Sequence, residues 1–148
     1  MKKFVSLFLA CLMFAMILPV SAADEEVYRK TEVIHTENGD MEVETVLVIH
    51  DSPLRAKSRT ASKTKSFKLD ETVIATVTFT ATFQYDGSSV SVSNTDSSYH
   101  TYDSWSYKNE SISKSGGTAK LSAKLTHSAE SPISVSISIK CTADGTIS

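Results

Sequence analysis

From Val73 to Ser93 the chain reads VIATVTFTATFQYDGSSVSVS, with an apolar side chain at every second position on both sides of Asp86-Gly87. A period of two belongs to an extended strand, whose successive side chains point to opposite faces. A helix would scatter the same residues around its whole circumference. Asp-Gly between two alternating runs is a strong hairpin signal, because glycine accepts the positive φ that a tight turn demands. A two-residue loop here pairs Tyr85 with Ser88, Phe83 with Val90 and Ala81 with Val92. One face then collects Val77, Phe79, Ala81, Phe83, Val90 and Val92, and the other collects threonines and serines. A slip of one residue mixes the two sets, so the register is well specified.

The same pattern recurs along the chain. VYRKTEVIHTENGDMEVETVLVI, from Val27 to Ile49, centres on Asn38-Gly39. A loop there pairs Glu37 with Asp40 and puts Tyr28, Ile34, Met41, Val43, Leu47 and Ile49 on one face. Asn94 to Ser98 reads as a loop, and SYHTYDSWSYK after it as a strand. In that strand strict alternation buries Asp103 together with Trp105, which is costly without partners. The chain is therefore expected to bulge or break near Asp103-Ser104, or to turn Trp105 outward. TAKLSAKLT alternates after the turn at Gly116-Gly117, and ISVSISIKC forms the last strand.

TFTATFQYDGSS, the single tryptophan in DSWSY, SGGTAKLSAKLT and the ending CTADGTIS resemble a group of small exported proteins of Gram-positive gut bacteria. The resemblance covers residues 67–148. It implies a β-rich fold and export, and brings with it no established activity and no functional residues. Independently of it, short alternating strands separated by turn residues predict an all-β chain. The expected fold is a small antiparallel β-sandwich of immunoglobulin-like size, preceded by a β-hairpin extension and a signal peptide.

The expected organisation is a signal peptide at 1–23, an acidic N-terminal β-hairpin at 24–51, a basic linker at 52–66 and a sandwich at 67–148. Lys2 and Lys3 precede the apolar stretch Phe4–Leu18, then Pro19 and small residues. That order is the signature of a secretory leader, with cleavage after Ala22 or Ala23. The stretch is shorter than the roughly 20 residues a membrane span needs. Once it is removed, no integral membrane segment is left, and the protein is expected to be secreted and extracellular. Cys11 lies too deep in the apolar stretch to read as a lipidation site. Residues 24–51 carry nine acids and two bases, and 52–68 carry six bases and no acid. The basic run, SPLRAKSRTASKTKSFK, lacks apolar alternation and reads as a solvated linker. Arg55 and Arg59 in it are candidate processing sites for a trypsin-like protease. The run is too short and too close to acids to indicate nucleic acid.

Cys141 is the one cysteine outside the leader, and its parity with Ile137 and Ile139 marks it as a core residue near a strand end. His35, His50, His100 and His127 show no metal-ligand spacing, so no metal and no cofactor is expected. G-x-S-x-G, H-E-x-x-H and P-loop motifs are absent. Thr76, Thr78, Thr80 and Thr82 form a polar ladder, read as a solvent-facing strand. Tyr99, Tyr102, Trp105 and Tyr107 are the candidate ligand-binding residues, because aromatic rings stack on sugars and anchor interfaces. At least one of Tyr102 and Trp105 should be exposed, and the single tryptophan also suits a core position. The expected function is a non-catalytic binding or interaction module acting at a host, wall or polysaccharide surface. A surface glycan or protein is its expected partner. The alternative is a secreted structural protein, or an effector acting on membranes or rival cells.

Overall fold

The structure is a computed structural model that describes residues 25–51 and 57–148. The expected signal peptide with its expected cleavage site, and the candidate processing residue Arg55, lie outside the described residues. Eight strands follow one another: β1 (Glu25–Thr36), β2 (Gly39–Asp51), β3 (Ser58–Leu69), β4 (Thr72–Tyr85), β5 (Val90–Thr101), β6 (Ser106–Ser115), β7 (Thr118–Thr126) and β8 (Ile133–Lys140). They form two antiparallel meanders, a five-stranded sheet in the order β1-β2-β3-β4-β5 and a three-stranded sheet in the order β6-β7-β8. The protein is thus all-β, a small sandwich, as the alternation predicts. Each sheet pairs its strands in chain order, so the connectivity is not the Greek key of an immunoglobulin domain.

Alternation explains the two inner faces. On the larger sheet Val77, Phe79, Ala81 and Phe83 of β4 are fully buried, flanked by Ala61 and Phe67 of β3 and by Met41, Val43, Leu47 and Ile49 of β2. On the smaller sheet the inner face is Ala119, Leu121, Ala123 and Leu125 of β7 against Ile133, Val135, Ile137 and Ile139 of β8. These residues make a single core. Cys141 belongs to it, as its parity predicts, and is a free thiol. Burial raises its pKa, which suppresses the reactive thiolate. Threonine and serine hydroxyls on the outer face bond across the ladder, Thr60 to Thr82, Ser62 to Thr80 and Thr64 to Thr78, each at 2.9 Å.

The basic run is not a linker over its described part. Ser58–Leu69 is β3, the central strand of the larger sheet, paired along its length with β2 and with β4. Lys63 and Lys65 stand in rungs of the inner face, Leu47–Lys63–Phe79 and Thr45–Lys65–Val77. Lys63 reaches past that layer and donates from Nζ to the carbonyl oxygen of Ser138 at 2.6 Å. A lysine can lay its aliphatic stem on an apolar face while its ammonium finds a polar partner. Desolvation, with Lys65 adding repulsion, lowers the Lys63 pKa. The acidic hairpin is likewise no appendage, since β2 is hydrogen-bonded to β3 and contributes to the common core.

Three further details differ from expectation. The β4–β5 loop is longer than two residues, so Phe83 opposes Val92 and Tyr85 opposes Val90. The β1–β2 turn falls at Glu37-Asn38, so Thr36 opposes Gly39 and His35 opposes Asp40. Beside each turn the change moves the pairing by two, which preserves the faces, and beyond a bulge in β4–β5 it becomes three, with Ala81 opposite Thr95. Asn94 to Ser98 is strand, not loop, within β5. A bulge at Thr82/Phe83 leaves Ser93 unpaired, and its hydroxyl bonds the Thr82 carbonyl at 3.1 Å.

Candidate functional site

The four candidate aromatics lie where the chain leaves one sheet for the other. β5 ends at Thr101, and Asp103 and Ser104 adopt φ of +50° and +64°, closing a tight turn in which Trp105 N–H bonds the Tyr102 carbonyl at 3.0 Å. This is the expected break, and it frees Trp105 from the parity of Asp103. Trp105 is 7% exposed and packs on the His127 ring at 5.2 Å. It is a core residue and cannot stack on a ligand without leaving its place.

Tyr99 and Tyr107 come together. Their rings stack at 4.2 Å with 21° between planes, at the corner where β5 meets β6. Tyr107 is half-buried, and its hydroxyl donates to Glu110 Oε2 at 2.7 Å. Ser97 Oγ donates to the same carboxylate at 3.0 Å. Burial pushes the Tyr107 phenol well above its ordinary pKa, and the bond to Glu110 and that carboxylate's charge add to the rise. Tyr107 therefore keeps its proton, and with it the bond to Glu110, across the physiological range. Tyr99 remains 56% exposed.

Tyr102 is 43% exposed and belongs to a different surface. It meets His100 edge-to-face at 4.5 Å. His100 has the parity opposite to Tyr99, so the His100–Tyr102 pair sits on the outer face of the larger sheet. The four aromatics thus divide into a core residue, a corner stack and an outer-face pair rather than one platform. Glu110 is the residue that the sequence pattern does not single out. It lies within an irregularity of β6 between Lys108 and Ser111, where Asn109 has φ +56°, so alternation from Tyr107 misplaces it. His100 was within reach of the pattern, two residues from Tyr102 on the same face.

Arg59 is no exposed processing site. It lies in β3 opposite Asp51 and Phe83, and its guanidinium donates to the Gly145 carbonyl at 3.0 Å. A protease requires unpaired backbone, which a central strand does not offer. Among the described residues no group of three or more His, Cys, Asp or Glu is placed to hold a metal ion. Among the same residues no helix is long and apolar enough to cross a membrane. Comparisons with family models, with curated proteins and with solved structures find no match to this chain.

Proposed function

We propose that the protein is a secreted, non-catalytic binding module that acts at a host, wall or polysaccharide surface. The observation that carries the reading is the corner stack. Tyr99 is open to solvent and already held flat against Tyr107, so little ordering entropy remains to be lost when a ligand stacks on it. Beside it, the Glu110 carboxylate is held in place by the Tyr107 and Ser97 hydroxyls, and it and the Ser97 oxygen are fixed acceptors. A ring with an apolar face and peripheral hydroxyls, as in a sugar, matches that combination of aromatic face and polar rim. Secretion rests on the leader-like first residues, and the resemblance to small exported proteins agrees with it.

A glycan array, followed by pull-down on bacterial and host surfaces, tests the reading. Tyr99→Ala should weaken binding by on the order of tenfold or more, because such anchors dominate small interfaces. Its circular dichroism should be unchanged, since the side chain is exposed. Binding that is equal in parent and Tyr99→Ala removes the corner from the proposal. A second reading, a structural protein that assembles, is favoured by one observation. β1 is a long exposed edge strand with apolar residues on both faces.

A further inference from the structure

An unpaired strand edge is an invitation to another strand, and folded proteins blunt such edges. Two other edges of this sandwich are blunted. The Lys63 ammonium and the returning C-terminal residues cover β8, where Lys140 and Ser148 exchange two backbone hydrogen bonds. β6 is irregular between Lys108 and Ser111. β1 differs: its pairing with β2 runs from Glu25 to Thr36 without a register shift. Val27, Tyr28, Val33 and Ile34 in it are 40–59% exposed.

We propose that β1 is a homodimerisation edge, at which a second copy of this chain pairs antiparallel with Thr31 on the two-fold axis. The axis of such a pair stands normal to the sheet, so it keeps the inner faces of both copies on one side. Residues that oppose each other must then share parity. This leaves a short set of registers, and charge selects among them. A register centred on Arg29, Lys30 or Glu32 sets like charges directly against each other, which is destabilising. Centring on Tyr28 or before, or on Val33 or beyond, shortens the ladder. Centring on Thr31 opposes Lys30 to Glu32 twice and Tyr28 to Ile34 twice on the inner face. On the outer face Val27 meets His35 and Arg29 meets Val33. Lys30 and Glu32 already bond at 3.1 Å within one strand, so the two copies close a ring of four alternating charges. The product is one continuous sheet with five strands from each copy. The dimer does not depend on the ligand reading, because Tyr99 lies on β5, at the opposite side of the sheet.

The test is sedimentation velocity on protein purified from cells expressing the full chain, across roughly 1–100 μM. A reversible dimer is expected. Glu32→Lys opposes Lys30 with a like charge and should raise the dimer dissociation constant by about tenfold. Adding Lys30→Glu exchanges both signs, restores the opposite pairing in the same register and should restore the dimer. Thr31→Cys should form a disulfide-linked dimer under mild oxidation, since directly opposed antiparallel residues stand within disulfide reach. Val33→Cys, which faces Arg29 instead, should not. Circular dichroism confirms that each variant is folded. A monomer at the highest concentration, a dimer indifferent to Glu32→Lys, or cross-linking at Val33→Cys in preference to Thr31→Cys overturns the proposal.

Discussion

Gly117 has no room for a side chain. A Cβ built on it would lie 2.1 Å from the Cys141 carbonyl oxygen and 2.6 Å from Val90 Cγ1. The backbone there is already committed, because the Gly117 carbonyl accepts the Cys141 N–H at 2.8 Å. A methyl group can be admitted only by moving the C-terminal end of β8 away from the start of β7. Overpacking of this kind costs about 1–3 kcal/mol. Gly117→Ala should therefore lower the denaturation midpoint, whereas an unchanged midpoint would mean that this contact is looser than described. Lys63 shows the opposite freedom at the same scale. Its charge has a carbonyl to reach, so its stem fills a position that would otherwise need an apolar residue. Counted as a charge it signals solvent, and counted as a stem with a charged tip it signals the margin of a core.

At the scale of elements, the faces of the strands were legible and the turns were not. Parity survives a shift of two residues, and both hairpins shifted by two beside their turns; only past the bulge at Thr82/Phe83 does the inward parity of β5 change. Asp86 shows why the second one did. Its carboxylate accepts the N–H of Ser88 at 2.8 Å and of Ser89 at 2.6 Å, which draws four residues into the loop where Asp-Gly alone proposes two. Asp144 does the same for the C-terminal turn, accepting from the Thr142 hydroxyl and from the Thr146 N–H. The two turns are joined, since Gly87 N–H donates to the Ala143 carbonyl at 2.8 Å. Hydrogen bonds to the charged form hold both carboxyls below their ordinary value, Asp86 chiefly through Ser88 and Asp144 chiefly through Thr142, the latter down to about 2. A depressed folded pKa means that the unfolded chain takes up the proton first. The stabilisation is thus complete above the ordinary carboxylate value of 3.8 and is lost as pH falls toward 2. The melting temperature should decline over that interval, and less steeply in Asp86→Asn/Asp144→Asn. Equal slopes for parent and variant would show that these turns do not couple to folding.

For the whole molecule, the sequence showed two layers of strands but misplaced the boundary of the core. Arg59, Lys63, Lys65 and Lys68 interrupt the apolar pattern, which therefore reads as a hairpin, a linker and a sandwich. In the structure β3 joins what those charges seemed to separate, and its outward Thr60, Ser62 and Thr64 tie it to β4. At the far end Asn38 bonds both the N–H and the carbonyl of Ser131 at 2.9 Å, holding the β1–β2 turn to the segment before β8. No sequence pattern reveals a contact between residues so far apart. Its consequence is cooperativity. Met41, Val43, Leu47 and Ile49 are each at most 8% exposed. Burying four such side chains contributes about 6–12 kcal/mol, which rivals the entire 5–15 kcal/mol that holds a typical domain folded. A fragment spanning residues 67–148 would lose that contribution together with most of β3, and would uncover the edge of β4. It should therefore fail to fold, with no cooperative thermal transition in circular dichroism, while the full chain unfolds in one step. A fragment that melts cooperatively would show that the strands after β3 make a core of their own.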